Sequence, residues 1–222
     1  IGLPRRVSSV IQAREVQKAS ILTLSTESLG SVLGGAGRAK IVWKQLKQKG
    51  IDPLSANSEV SEKVRTILSN YTEGFTVIPA TIDTESTSPC GTKKLLLKMK
   101  DGQQIETVII PMGNDDHCTV CVSTQLGCDR RCSFCATGTM GLLRSLSAAE
   151  IIAQVLVAQQ VVLRDFMPPI TNVVYMGMGD AGGNLAAVRE SVACLTDESR
   201  MQISPNKVCV STVGPRPEVF ME

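Results

Sequence analysis

Thr119-Val-Cys-Val-Ser-Thr124, then Cys128-Asp-Arg-Arg-Cys132-Ser-Phe-Cys135, then Ser147-Ala-Ala-Glu150 make up the stretch that decides the fold. Residues 119–124 are apolar and β-branched, the pattern of a buried strand. Ser147 and Glu150 have the spacing of a capping box, and the run that follows stays apolar on most faces to about Leu163. That reads as a well-buried helix, with the three cysteines in the loop before it. The same order recurs downstream. Residues 171–176 form a second strand, ending in Gly177-Met-Gly-Asp180, and 184–195 a second helix. Residues 207–212 form a third strand, running into Ser211-Thr-Val-Gly214. Strands alternating with helices predict parallel units and an α/β fold. Each motif follows the C-terminal end of a strand, where β/α barrels carry their sites. Three units do not close a barrel, so the expectation is a partial β/α barrel, truncated after about three units.

Upstream the period changes. Residues 93–100 and 103–110 flank Asp101-Gly102, a two-residue hairpin signal. Residues from about 7 to 70 read as helical. A first helix is expected over 7–24, with a break at Gly34-Gly-Ala-Gly37. A second spans 38–49 and places Ala39, Val42, Trp43 and Leu46 on one face. It ends at Gly50-Ile-Asp-Pro53, and a third runs near 59–68. The other faces of the second helix carry Arg38, Lys40, Lys44, Lys47 and Lys49 with no acid among them. Such a run is either a solvated face or a phosphate-facing surface. The expected division is a helical accessory domain over 1–75, a linker and hairpin over 76–117, and the barrel part over 118–222.

Composition sets bounds. With 222 residues, 43% of them hydrophobic, the chain can bury one core and a smaller one beside it. A net charge of +2 neither demands nor excludes nucleic acid, so any basic footprint must be local. The apolar stretches are too short and too interrupted for a membrane span. No cleavable signal opens the chain, and the missing initiator Met suggests a fragment or a processed form. Five of the eight cysteines fall between Cys118 and Cys135, which favours reduced thiols and metal binding over a disulfide set.

Two metal readings compete. Cys118-Thr-Val-Cys121 and Cys132-Ser-Phe-Cys135 are two CxxC pairs with zinc-ribbon spacing, which would make a non-catalytic zinc- or RNA-binding module. That reading leaves Cys128 unexplained. It also needs Cys118 and Cys121 together on a knuckle, whereas a strand points them to opposite faces. The other reading uses Cys128, Cys132 and Cys135 for three irons of a [4Fe-4S] cluster, with the fourth iron open to a ligand.

Cys-x3-Cys-x2-Cys with Phe134 before the last cysteine resembles the radical S-adenosylmethionine superfamily. The wider context is similar to one subfamily. Its marks are Cys121-Val-Ser-Thr-Gln-Leu-Gly-Cys128, Cys132-Ser-Phe-Cys-Ala-Thr-Gly138, Ile151-Ile-Ala-Gln-Val155, Ile170-Thr-Asn-Val-Val-Tyr-Met-Gly-Met-Gly179 and Ser211-Thr-Val-Gly214. Upstream they continue in Glu106-Thr-Val-Ile-Ile-Pro111 and Gly37-Arg-Ala-Lys40. This is the RlmN/Cfr group, radical methyltransferases of adenine in large-subunit rRNA and in tRNA.

The resemblance implies roles. Cys128, Cys132 and Cys135 would hold the cluster, whose open iron binds S-adenosylmethionine and splits it to a 5′-deoxyadenosyl radical. Gly179, Asp180 and Ser211 would contact that cofactor. Glu106 would accept a proton, and Cys121 would resolve the covalent RNA–enzyme intermediate by pairing with a cysteine near the C-terminus. The implied reaction is methylation of adenine C2 in rRNA, and in tRNA, through a methyl-cysteine. An electron donor such as flavodoxin or ferredoxin, a monomer, no membrane, and a cytoplasmic or plastid-stromal setting go with it. Two departures stand out. The family's Gly-Glu-Pro is Gly179-Asp180-Ala181 here, which shortens the acid by a methylene. No cysteine follows Cys209 to carry the methyl group, so these 222 residues alone are expected to be inactive. Cys90, Cys118, Cys194 and Cys209 are expected to be structural.

Overall fold

The computed structural model describes residues 20–113 and 116–217. The helix expected from Val7 lies, up to residue 19, outside the described residues, and Thr23 N–H bonds Ser20 O in a turn instead of continuing it. Helix α1 (Thr26–Leu33) is capped by Ser25, whose hydroxyl accepts from Ser28 N–H. Helix α2 (Ala36–Lys49) buries Ala39, Val42, Trp43 and Leu46, the expected face, together with Gln45. Helix α3 (Glu62–Tyr71) starts later than expected. Ser61 caps it by accepting from Val64 N–H, while Glu59 N–H is taken by Gln45 Oε1 at 3.1 Å.

Strands β1 (Ala80–Thr87), β2 (Lys93–Met99) and β3 (Gln104–Pro111) form an antiparallel meander. Strand β1 was not expected: its residues are mostly polar, as suits an edge strand. The β2–β3 turn has three residues, not two. Met99 N–H bonds Gln103 O at 2.8 Å and Gly102 N–H bonds Met99 O at 2.9 Å, with Gly102 at φ 80. This is a type I turn followed by a left-handed residue.

Strand β4 (Cys118–Cys121) pairs antiparallel with β3. The short strands β5 (Gln125–Cys128) and β6 (Gly141–Ser145) pair only with each other, closing the cysteine loop at its base. Helix α4 (Ala148–Arg164) carries the expected Ser147–Glu150 capping box. Strand β7 (Ile170–Tyr175) lies parallel to β4, helix α5 (Leu185–Thr196) follows, and β8 (Val208–Val210) lies parallel to β7. The main sheet therefore runs β1-β2-β3-β4-β7-β8, and its parallel half is the expected partial β/α arrangement.

The sheet has two distinct faces. Ile105, Thr107 and Ile109 of β3 are fully buried on the side that α4 covers, and Val120, paired with Ile109, extends that face onto β4. Glu106, Val108 and Ile110 alternate to the other side and are only half-buried. Cys121, paired with Val108 and with Val174, belongs to this second face. Among the described residues no helix is long and apolar enough to cross a membrane.

Candidate active site

Cys128 ends β5 and is buried; Cys132 and Cys135 are half-buried on one turn, where Cys135 N–H bonds Cys132 O at 3.0 Å. Arg130 N–H points at Cys128 Sγ from 3.5 Å. None of the eight cysteines is in a disulfide. Cys118 is fully buried in the core on β4, and its parity sets it on the face opposite Cys121. The zinc-ribbon arrangement is therefore not formed. Among the described residues no three His, Cys, Asp or Glu side chains converge on one point as a single ion would require. A cluster takes one thiolate per iron and needs no such convergence, so the three-cysteine loop fits it better.

The loop after β7 is held against the residues after β4. Thr124 N–H and Gln125 N–H both bond Met178 O, at 2.9 and 3.2 Å, and Met178 N–H bonds Ser123 Oγ at 3.0 Å. Gln125 Oε1 accepts from Asp180 N–H at 2.9 Å. Gly179 has φ 96, and a Cβ there would stand 2.5 Å from Gln125 Cβ, so this close approach requires glycine.

Asp180 is only 5% exposed. Its Oδ1 accepts from Val213 N–H at 3.2 Å, tying it to the segment that holds Ser211. Its Oδ2 is buried without a hydrogen-bond partner. The nearest cationic group is Arg130, whose Nε stands 3.7 Å from Oδ2, beyond hydrogen-bond reach. Asp180 thus joins the cysteine loop, the β7 loop and the β8 loop, and it keeps one buried acceptor unused. An ammonium donor is the chemistry that fits such an oxygen.

Glu106 and Cys121 lie on the open face of the sheet. Cys121 sits opposite Val108, and Glu106 is one position of the same parity further along β3, so the two are diagonal neighbours. Glu106 pairs with Lys94 Nζ at 3.1 Å. Burial pushes the Cys121 thiol pKa up, opposed by a bond from Met176 N–H. Of the remaining cysteines, Cys118 and Cys194 are buried, whereas Cys90 and Cys209 are exposed. Cys209 pairs with Val174, which pairs with Cys121, so Cys209 shares the open face two strands away.

Two polar residues to which the sequence assigned no role brace the site. Gln154, on α4, is fully buried and clamps Ser123, accepting from its N–H and donating to its C=O, both at 2.8 Å. Asn184 Nδ2 donates to Thr124 O and Leu146 O at 2.8 and 2.7 Å. The available signal was a polar amide inside an apolar helix, which points to a buried network.

No family model matches the chain. It is 35% identical to the dual-specificity RNA methyltransferase RlmN of Methylorubrum extorquens, over 98% of this chain and 58% of that protein. It is 40% identical to RlmN of Magnetococcus marinus, over 82% of this chain and 49% of that protein. A radical SAM methyltransferase from Sphaerobacter thermophilus superposes with a TM-score of 0.77 at 33% identity, covering 87% of this chain and 56% of that one. The chain spans about half the length of the curated relatives it matches. Over that span, in sequence and in fold, it belongs to the RlmN family of radical S-adenosylmethionine methyltransferases.

Proposed function

We propose that the chain carries the cofactor-binding part of an enzyme that methylates C2 of an adenine in large-subunit rRNA and in tRNA through a methyl-cysteine. Cys128, Cys132 and Cys135 would hold a [4Fe-4S] cluster, which when bound supplies the electron for reductive cleavage of S-adenosylmethionine. The observation that carries this reading is Asp180 Oδ2, a buried carboxylate oxygen beside the cysteine loop that accepts no hydrogen bond and has only the charge of Arg130, at 3.7 Å, against it. In the proposed site it receives the ammonium of the cofactor's amino-acid end, while Gly179 lets the backbone approach closely and Ser211 adds a hydroxyl. Glu106 and Cys121 face the space in front of the sheet, where an adenine leaving its stack would meet them as proton acceptor and thiol.

RNA contact is supported by α2. Arg38 is occupied by Leu33 O and Lys49 by Glu59, while Lys44 feels Glu59 only through its charge. Lys40, Lys44 and Lys47 line an open cleft of about 530 Å³ facing the turn after α5. Such cations suit phosphates and position a nucleic acid without reading its sequence.

Binding tests this directly. Anaerobic reconstitution should load about four irons with sulfide per chain, and Cys128→Ala, Cys132→Ala and Cys135→Ala should each lose them. The loaded chain should bind S-adenosylmethionine, and Asp180→Asn should weaken that binding. Uptake of one zinc and no iron would overturn the reading.

A further inference from the structure

The two sides of the sheet offer RNA different footholds. Helix α2 packs on α4, and α4 covers the buried face, so the α2 lysines lie behind the sheet as seen from Glu106 and Cys121. A strand whose base reaches Glu106 must cross the open face instead. On that face the antiparallel half of the sheet carries cations of its own. Lys94, Leu96 and Lys98 of β2 alternate outward, while Leu95, Leu97 and Met99 are buried. Strand β3 starts at the end where β4 and β7 finish, because it runs antiparallel to β4 and Ser123, just past β4, bonds Glu106 O. Lys98, paired with Gln104, therefore stands beyond Glu106 at the mouth of the site. Strand spacing puts its Cα about 8 Å from that of Glu106, a distance one nucleotide spans.

Lys100 has the same parity but lies in the β2–β3 turn, and its ammonium sits over the Phe75 ring, 4.8 Å from the centroid. Phe75 is 60% exposed, so most of that ring faces water. The meander's carboxylates are engaged elsewhere. Glu85, Glu106 and Asp101 pair with Lys93, Lys94 and Arg144, and Asp83 accepts from Gln104 Nε2 at 2.9 Å; Lys98 and Lys100 are in none of these pairs. An open aromatic ring steadied by one cation and flanked by another suits an unstacked base and its phosphate. We propose that Phe75, Lys98 and Lys100 form a landing site at the rim for a nucleotide flanking the target adenine, its base on the ring and its phosphate on the two ammoniums. The proposal rests on the RNA reading above and goes beyond it by making unpaired RNA the form that the rim takes. Bases in a duplex are stacked on one another and have no face to offer the ring.

The test measures equilibrium binding of the full chain to two fluorescein-labelled RNAs of equal length, a stem-loop with an adenine-rich loop and a fully paired duplex. Phe75→Leu keeps an apolar side chain but removes the ring. It should weaken the stem-loop roughly 5–100-fold, the range for one base–aromatic stack, and change the duplex by less than about twofold. Phe75→Trp should retain stem-loop binding. Lys98→Gln with Lys100→Gln should weaken the stem-loop and lower its salt slope by about 1–2. Unchanged thermal melting establishes that these variants fold. Equal weakening of both RNAs by Phe75→Leu, or no change in either, overturns the rim site and leaves the RNA reading standing. A wild-type chain that binds neither RNA overturns both.

Discussion

Replacing Gln154 by Met tests whether the site's frame is built from the helix side. The two side chains have similar length and volume, so the substitution removes hydrogen bonds without opening a large cavity. Gln154 Oε1 accepts from Ser123 N–H at 2.8 Å and from Thr107 Oγ1 at 2.9 Å, and Nε2 donates to Ser123 O at 2.8 Å. All three residues are fully buried, so water cannot replace the lost partners. Three orphaned groups at about 1–3 kcal/mol each give a gross loss of about 3–9 kcal/mol. The mutant no longer buries an amide, which returns about 1–3 kcal/mol. A net loss of about 2–6 kcal/mol follows.

Urea unfolding followed by circular dichroism reads this loss. With a slope of about 2 kcal/mol/M, the midpoint should fall by about 1–3 M. Thr107→Val in the same chain should recover part of it, because an orphaned hydroxyl is then replaced by a methyl group. A loss under about 1 kcal/mol, or no coupling between the two substitutions, would refute the claim that these bonds hold the frame.

Other outcomes follow from separate observations. Gly179→Ala must place a Cβ at 2.5 Å from Gln125 Cβ at a φ that disfavours side chains, so it should cost about 1–3 kcal/mol in a thermal melt and weaken S-adenosylmethionine binding. Lys40→Glu with Lys44→Glu should lower the salt slope of binding to folded RNA by about 2 or more while leaving the melt unchanged. Glu85 and Asp165 sit among Lys93 and Arg164, with bonds of 2.7–2.9 Å. Hydrogen bonds from Arg164 and then Lys93 hold the Asp165 carboxyl below its usual range; burial alone would raise Glu85, and the same two cations outweigh it. Both carboxyls thus bind fewer protons folded than unfolded. Their contribution is present above the unfolded pKa near 4 and drains as pH falls below about 5. Melting temperature should therefore drop more steeply from pH 6 to 3 in the wild type than in Glu85→Gln with Asp165→Asn.

What the sequence made legible was local. The Ser147 capping box, the buried face of α2 and the three parallel strands are set by residues within one or two turns of each other. Strand β1 was hidden because an edge strand with one polar face has no apolar alternation to read. The β5–β6 pair was hidden because it is two very short strands on either side of a cysteine-rich loop. The three-residue turn was misread because Asp101-Gly102 serves a two-residue hairpin equally well. At the candidate site, spacing singled out the cysteines, and the family resemblance named Gly179 and Asp180. Ser123, Gln125, Arg130 and Gln154 lie inside those motifs but received no role, because their partners lie far away in the chain or are set by how the loop folds.

Those hidden residues explain how a buried core controls an open site. On β3 the buried parity is apolar at Ile105 and Ile109, and Thr107 is its one polar member. Thr107 is also the residue that reaches Gln154. From Gln154 the network passes to the backbone of Ser123, just beyond the end of β4. Ser123 then turns its hydroxyl to the other side. It donates to Glu106 O at 2.6 Å and accepts from Met178 N–H at 3.0 Å. One residue therefore takes its position from the helix side and hands it to the strand bearing Glu106 and to the loop bearing Gly179 and Asp180. A hydroxyl in that place fixes both at once, whereas Ser123→Ala would leave Met178 N–H without its acceptor. Glu106 and Asp180 come from strands that do not touch, β3 and β7. Their relative position is set through Ser123 and Gln154, so the geometry of the site is inherited from the packing of α4.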